Sequence, residues 1–436
     1  MMAQIHKHLS ETKSAEEVKL KNGSDADLTK LPALNDVMTR LILEESEDIT
    51  DLSSFAQLTN LKRFSLDDLK YLSDLTPLSK LEGLTYLYLR SLYTPISLDP
   101  VAKLTTLEEL RIGNNVEYQN FDFLQPLVNL KTLSLYKAQP KAEDPSDISA
   151  LAGKPQLVDL TIDGANIHDL SPIKDSPELK SLRLVRTPIE NFAFLQGFPK
   201  LITLQLLDLP AQDLSPLEGL TGLKHLTLYN MEATDLTPLA ALKNSLTYLN
   251  LSNVRAKDMT PIGELSELTD IFLEDTQFED FSPLAKCTKL EFLEARSEKS
   301  GFNKLEVINS LPNLKRLWLD RNDKIQNWEP LKTATSIEEL SIGVTSFNDL
   351  KLLESLVNLK DLNIYECTVK NPEALLKLPE LKRISISRTK GIDDITIFKD
   401  LPKLTELSLS YDTRQFPQEQ IDALNTAKEE AKKKKE

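Results

Sequence analysis

The chain repeats one short phrase almost from end to end, and this constrains its fold more than any other property. The phrase is L-x-x-L-x-L. Clean copies are LKTLSL from Leu130, LKSLRL from Leu179, LITLQL from Leu201, LKHLTL from Leu223, LTYLNL from Leu246, LKRLWL from Leu314 and LTELSL from Leu404. Counting variants, 17 units start at Met38, Leu61, Leu84, Leu107, Leu130, Leu157, Leu179, Leu201, Leu223, Leu246, Leu268, Leu290, Leu314, Ile337, Leu359, Leu381 and Leu404. Fourteen of the 16 spacings are 22 or 23 residues; the others are 27, after Leu130, and 24, after Leu290. The last two leucines of each unit alternate with polar residues, which is the period of a short strand. Such a strand cannot bury a face alone, so neighbouring copies must stack in parallel and share a leucine core. A length of 436 residues would otherwise suggest two or three domains. One array accounts for it, and for the 82 leucines, at about five per unit.

The segments between units have their own signature. They read DLSPL at Asp213–Leu217 and DLTPL at Asp74–Leu78 and Asp235–Leu239, with relatives at Asp169–Ile173, Asp258–Ile262 and Asp280–Leu284. Ser or Thr before Pro is the expected N-cap and first residue of a helical turn, the hydroxyl accepting an N–H that has no other partner. Pro126 and Pro330 are expected to fill the same place. A period of 20–29 with this phrase is a leucine-rich repeat. The fold class is therefore an α/β solenoid, a curved array with a parallel concave β-sheet and short 3-10 or helical turns on the convex side. Residues 1–37 are expected to be a polar lead and cap, 38–411 the solenoid, and 412–436 a helical cap with a Lys-rich tail.

The phrase and its D-[LFM]-[ST]-P-[LI] return resemble the internalin-like class of leucine-rich repeats, a class that also contains a protein phosphatase regulatory subunit. The resemblance covers Met38 to Leu409. It implies a non-enzymatic scaffold that binds protein on the concave face. It also implies an asparagine three residues after each final leucine. Here those places hold Ala165, Thr187, Met231, Val254, Thr276, Thr345, Cys367 and Thr389, with Asn115 and Asn322 as the exceptions. Hydroxyls and thiols can replace some amide contacts there, and Ala, Met and Val simply pack. A regulatory subunit that positions a phosphatase or kinase is one alternative function. A host-directed effector exported without a cleavable signal is another.

Composition narrows the rest. Two cysteines cannot build a disulfide framework. No apolar run is long enough to span a bilayer, and Met1–Leu20 has no apolar core of a signal peptide. The expected location is cytoplasmic, with non-classical export left open. A net charge of −15 opposes nucleic-acid binding and favours a protein partner with a basic patch. The chain is expected to be a monomer without membrane contact. No catalytic motif occurs, and His6, His8, His168 and His225 are the only histidines. No cofactor or metal is expected, because Cys287 and Cys367 have no CxxC partner and fit a reduced core. The aspartates at 169, 213, 235, 258, 280 and 349 fit turns, and one acid per rung is too few for calcium. The inserts at 137–147 and 297–303 and the run Lys432–Lys435 are the irregular features. Each insert reads equally as a binding loop or as length drift, and the lysine run as a solvated tail.

The third, fifth and seventh residues of each unit project from the concave sheet. Most are small and polar: Ser65, Ser134, Thr161, Thr203, Thr227, Ser341, Ser385, Ser387 and Ser408. Two clusters differ. The principal one is His225, Tyr229, Tyr248, Phe272, Phe292, Arg296, Arg316, Trp318 and Asp320. The second is Tyr86, Tyr88, Arg90, Arg111 and Tyr136. Exposed aromatics with arginine are the composition of interface hot spots; cross-strand packing is the structural alternative. On this reading Phe292 and Trp318 are exposed, and their replacement by Ala should spare the thermal melt. An enzyme built on His225, Asp270 and Glu294 is the remaining class, with no activating geometry evident in the sequence.

Overall fold

Each repeat forms one strand and one 3-10 turn. The computed structural model describes residues 16–114, 116, 120–136, 147–297, 302–408 and 416–433. His6, His8 and Asn115, most of both inserts and the side chains of Lys432–Lys435 lie outside the described residues. The chain divides into two compact units, Met1–Leu223 and Lys224–Glu436. In the first, the strands are β1 (Glu17–Lys21), β2 (Arg40–Glu44), β3 (Arg63–Leu69), β4 (Tyr86–Leu92), β5 (Glu109–Ile112), β6 (Thr132–Tyr136), β7 (Asp159–Asp163), β8 (Ser181–Val185) and β9 (Thr203–Leu207). In the second they are β10 (His225–Tyr229), β11 (Tyr248–Asn250), β12 (Asp270–Phe272), β13 (Phe292–Glu294), β14 (Arg316–Trp318), β15 (Glu339–Gly343), β16 (Asp361–Tyr365), β17 (Arg383–Ser387) and β18 (Glu406–Ser408).

Within each unit every strand pairs in parallel with the next, and equivalent repeat positions face one another. Leu182 pairs with Leu204, and Leu340 with Leu362. This register stacks the leucines: Leu223, Leu226 and Leu228 are all fully buried, as are most of their counterparts in other rungs, while Leu404 and Leu407 of the last rung are only half-buried. A buried leucine contributes roughly 1.5–3 kcal/mol of transfer free energy, so the shared core is what holds these three- to seven-residue strands. β1 precedes the first counted repeat. Val18 and Leu20 keep the alternation and are buried, but Ala15 stands where a leucine would begin the phrase.

The return turns correct the expected capping. In the turn Thr76–Lys80 the threonine is the first turn residue and Pro77 the second. The acceptor is the aspartate two residues earlier: Asp74 Oδ1 takes the Thr76 N–H at 2.8 Å. In DLSPL the Asp213 carboxylate takes both the N–H and the hydroxyl of Ser215, at 2.9 and 3.0 Å. Asp235, Asp258 and Asp280 do the same for the turns that follow. A carboxylate is the stronger acceptor for these N–H groups, and the Ser or Thr hydroxyl becomes a donor to it. Pro330 is the second residue of its turn, the same place that Pro77 takes. Pro126 is not: the turn there is Asp122–Leu124, and Phe123 takes the second place.

In most repeats the eighth residue leaves the strand with positive φ, from Glu45 (47°) through Asp208, Asn230 and Asn253 to Arg388 (48°). This lets each N–H still reach the next rung: Val344 donates to Tyr365 O and Glu366 to Ser387 O. Gly164 is one of the few places where glycine supplies that conformation. At the buried ladder site, Asn322 donates to Ala295 O and to Leu319 O. Thr276 and Thr389 donate to Leu273 O and Ile364 O at 3.2 and 3.3 Å. Cys367 Sγ lies 4.0 Å from Ile342 O. Ala165, Met231 and Val254 are buried there without such contacts.

Helix α1 (Asp25–Leu28) is a single turn near β1. Helix α2 (Gln418–Lys433) packs on the turn Ile395–Asp400. Gln420 accepts the Ile395 N–H at 3.1 Å, and Leu424 and Phe416 are buried. No helix among the described residues is long and apolar enough to cross a membrane.

Candidate protein-binding face

The strand face of the second unit carries the principal cluster. Its aromatic members form one continuous chain over five rungs. His225 stacks on Tyr248 at 5.9 Å between ring centres, and Tyr248 meets Phe272 at 5.0 Å. Phe272 meets Phe292 edge-on at 4.8 Å, and Phe292 meets Trp318 edge-on at 4.8 Å. The chain zigzags because Tyr248 and Phe292 occupy the third repeat position, and Phe272 and Trp318 the fifth. Edge-to-face pairs of this kind add about 0.5–1.5 kcal/mol each beyond burial.

Two arginines lie on these rings. The Arg316 guanidinium is 4.3 Å from the Phe292 ring centre, and that of Arg296 is 4.5 Å from Trp318. Both are also anchored by acids. Arg316 donates to Asp270 at 2.7 Å. Arg296 Nε lies 3.1 Å from Glu294 and 3.2 Å from Asp320. Asp320 also accepts the Ser341 hydroxyl at 2.9 Å, and Asn363 donates to that hydroxyl. Glu294 and Asp320 are almost fully buried. Burial raises both carboxyls above their ordinary values; Arg296 offsets part of the rise at Glu294, and the Ser341 hydroxyl and Arg296 offset part of it at Asp320.

This geometry overturns the exposure expected of Phe292, which is 2% exposed under Trp318, Phe272 and Arg316. Asp320 is buried as well. Phe272 and Trp318 are half-buried, and His225 and Tyr229 are exposed. The acids suggested for an enzyme engage Arg316 and Arg296, while His225 stacks on Tyr248. Among the described residues, no group of three or more His, Cys, Asp or Glu is placed to hold a metal ion.

The second cluster lies in the first unit. Tyr88 pairs in register with Arg111, and Tyr86 with Glu109. Arg111 donates to Glu109 at 2.6 Å, and Arg90 lies 3.4 Å from Asp67. Arg63 stacks on Tyr86 at 3.9 Å. Its arginines are thus held by neighbouring acids or rings, and Tyr136 lies near Arg111.

No family model matches the chain, and no curated protein matches it. Among solved structures, an internalin (InlF) of Listeria monocytogenes is 25% identical, over 77% of this chain and 89% of that one, with a TM-score of 0.59. A leucine-rich-repeat protein of Leptospira interrogans is 21% identical, over 89% and 99%, with a TM-score of 0.69. TLR13, solved as a TLR13–ssRNA13 complex, is 18% identical, over 90% and 61%, with a TM-score of 0.64. The chain has the leucine-rich-repeat fold and is similar to internalins.

The internalin-like face holds residues that sequence reasoning missed. Tyr365 lies over Gly343, where an added Cβ would meet the ring at 2.2 Å. Burial, then the nearby Asp320 charge, pushes its hydroxyl up to about 12. Glu339 accepts the Trp318 indole N–H at 2.8 Å. Arg383 forks onto Asp361. The available signal was Gly343 itself, a glycine at an outward strand position in a chain with only 12.

Proposed function

We propose that this protein is a non-enzymatic binding scaffold whose second-unit strand face holds a protein partner. The observation that carries the reading is the five-rung aromatic chain from His225 to Trp318, with Arg296 and Arg316 laid on it. Rigid rings, immobilised before binding, offer contact area with little entropy left to lose. The net charge of −15 favours a partner with a basic surface and speeds its approach. TLR13, which shares the fold, was solved in complex with single-stranded RNA; the acids woven through the present face disfavour a polyanion.

The test is crosslinking mass spectrometry from native cells, followed by capture with variants. Tyr229→Ala with Trp318→Ala should lower partner recovery at least tenfold while far-UV circular dichroism is unchanged. Full recovery by the double variant would remove this face from the function.

A further inference from the structure

Beyond Trp318 the strand face opens into a groove of about 450 Å³ over β14–β18. We propose that this groove seats an arginine or lysine side chain from a basic, extended segment of the protein partner. Trp318 is its aromatic wall, and Glu339 and Glu406 supply its charge. The inference rests on the reading of this face as the binding surface and adds the chemistry of the occupant.

The charge balance selects a cation. Two arginines, Arg296 and Arg383, line the groove with three carboxylates, Glu339, Asp361 and Glu406. Two further carboxylates, Glu294 and Asp320, lie buried against Arg296. Arg383 is committed to Asp361, at 2.6 Å. Among the described residues, Glu339 receives only a neutral side-chain donor, the Trp318 indole. Among the described residues, no lysine or arginine makes an ion pair with Glu339 or Glu406. With Arg296 engaged by Glu294 and Asp320, and Arg383 by Asp361, the carboxylates of Glu339 and Glu406 are left without a cation in a recess walled by protein, where the field is less screened than on an open surface. An anion would meet net repulsion, and an apolar anchor would cover carboxylates without pairing them. A guanidinium or ammonium pairs with them.

The dimensions select a segment. Five strands make four steps of about 4.8 Å, roughly 19 Å in all. An extended chain rises about 3.3 Å per residue, so about six residues span the groove. Ser385, Asn363 and Ser408 on its floor offer hydrogen bonds to a passing backbone.

The chain's two tryptophans provide the assay. Trp328 is buried and donates to Ser346, so Trp328→Phe leaves Trp318 as sole reporter. Trp318 emission is followed while a hexapeptide of alternating Arg and Gly is added at low salt. Controls are the same peptide with Glu for Arg, spermidine, and a single-stranded RNA hexamer; calorimetry on the unsubstituted chain repeats the titration. Saturable quenching by the Arg peptide alone is expected, at least tenfold weaker in Glu339→Gln with Glu406→Gln and weaker again in high salt. No saturable response up to millimolar peptide, equal affinity in the double variant, or equal binding of spermidine or RNA would overturn the proposal. If the peptide fails while native crosslinks still map to Tyr229 and Trp318, only the cation assignment falls. If both fail, the reading of the face falls with it.

Discussion

Val344 holds a backbone conformation that its own side chain opposes. Its φ is 52°, and its exposed side chain has no core to fill in return. A β-branched residue is the least suited to this region. Asn adopts it readily and keeps the N–H bonded to Tyr365 O. Val344→Asn should therefore raise the unfolding free energy by about 1 kcal/mol, read as a higher urea midpoint with the same slope. Lys154 is a second misfit. It occupies the slot that Leu127 and Phe198 fill in other rungs, is 1% exposed, and among the described residues bonds only to the Gln125 and Ala152 carbonyls. Burial lowers its pKa from 10.5. The unfolded chain therefore binds the extra proton in the window between the lowered value and 10.5, and stability rises with pH across that window. Lys154→Met should stabilise by about 1 kcal/mol or more near pH 7. That gain should shrink as thermal melts are taken toward pH 10. Phe292 shows the opposite case. Its outward position was legible in the repeat, but its burial was not, because that depends on how Trp318 and Arg316 fold over it. Phe292→Ala should cost about 3–5 kcal/mol, so it reports on stability before it reports on binding.

At the scale of the element, strand and core were legible because the leucine period alone sets register and inward face. The return turn was legible as a turn, but its cap was misplaced by two residues. Asp and Ser or Thr are both good N-cap residues, and DLSPL contains both. The structure decides for the aspartate, with consequences in acid. Asp235 and Asp258 are held below the ordinary carboxyl value of 3.8 by the hydroxyls and N–H groups of Thr237 and Thr260. Asp280 is held there by the N–H and hydroxyl of Ser282. A lowered folded pKa means stability that is complete above about 3.8 and is lost as pH falls through the folded value. Asn keeps the oxygen that accepts the N–H but removes the charge. The combined variant Asp235→Asn, Asp258→Asn, Asp280→Asn should melt below wild type at pH 6. The difference should close as pH falls toward 2, which calorimetry at fixed ionic strength would measure. A difference that stayed constant with pH would mean that the charge is not what the turns use. The positive-φ corner after most strands was legible at Gly164 alone. Glycine is its usual mark, and elsewhere Asn, Asp, Glu, Arg and Val stand in its place.

At the scale of the whole molecule, each rung packs chiefly on its neighbours, so a disturbance should fade with distance along a unit. The end of the second unit tests this. α2 rests on the turn Ile395–Asp400, buries Leu424 and Phe416, and holds that turn through Gln420. Ile395 and Phe398 beneath it are fully buried. If α2 acts as the lid of the final rung, Leu424→Ala with Phe416→Ala removes most of its apolar hold. Such truncations cost about 2–5 kcal/mol each when the surroundings stay folded. Here the loss is capped at the free energy of docking α2, because the helix can simply detach. Hydrogen exchange separates the outcomes. Amides of β17, β18 and the turn Ile395–Asp400 should lose protection by tenfold or more, those of β16 by less, and those of β10–β13 not at all. The β10–β13 rungs carry most of the aromatic chain, so contacts through Tyr229 and Phe272 should survive in this variant, and only the share of partner affinity supplied by the groove over β17 and β18 should fall. Uniform loss of protection from β10 to β18 would mean that the second unit unfolds as one cooperative block, and that its rungs are coupled more tightly than their neighbour contacts imply.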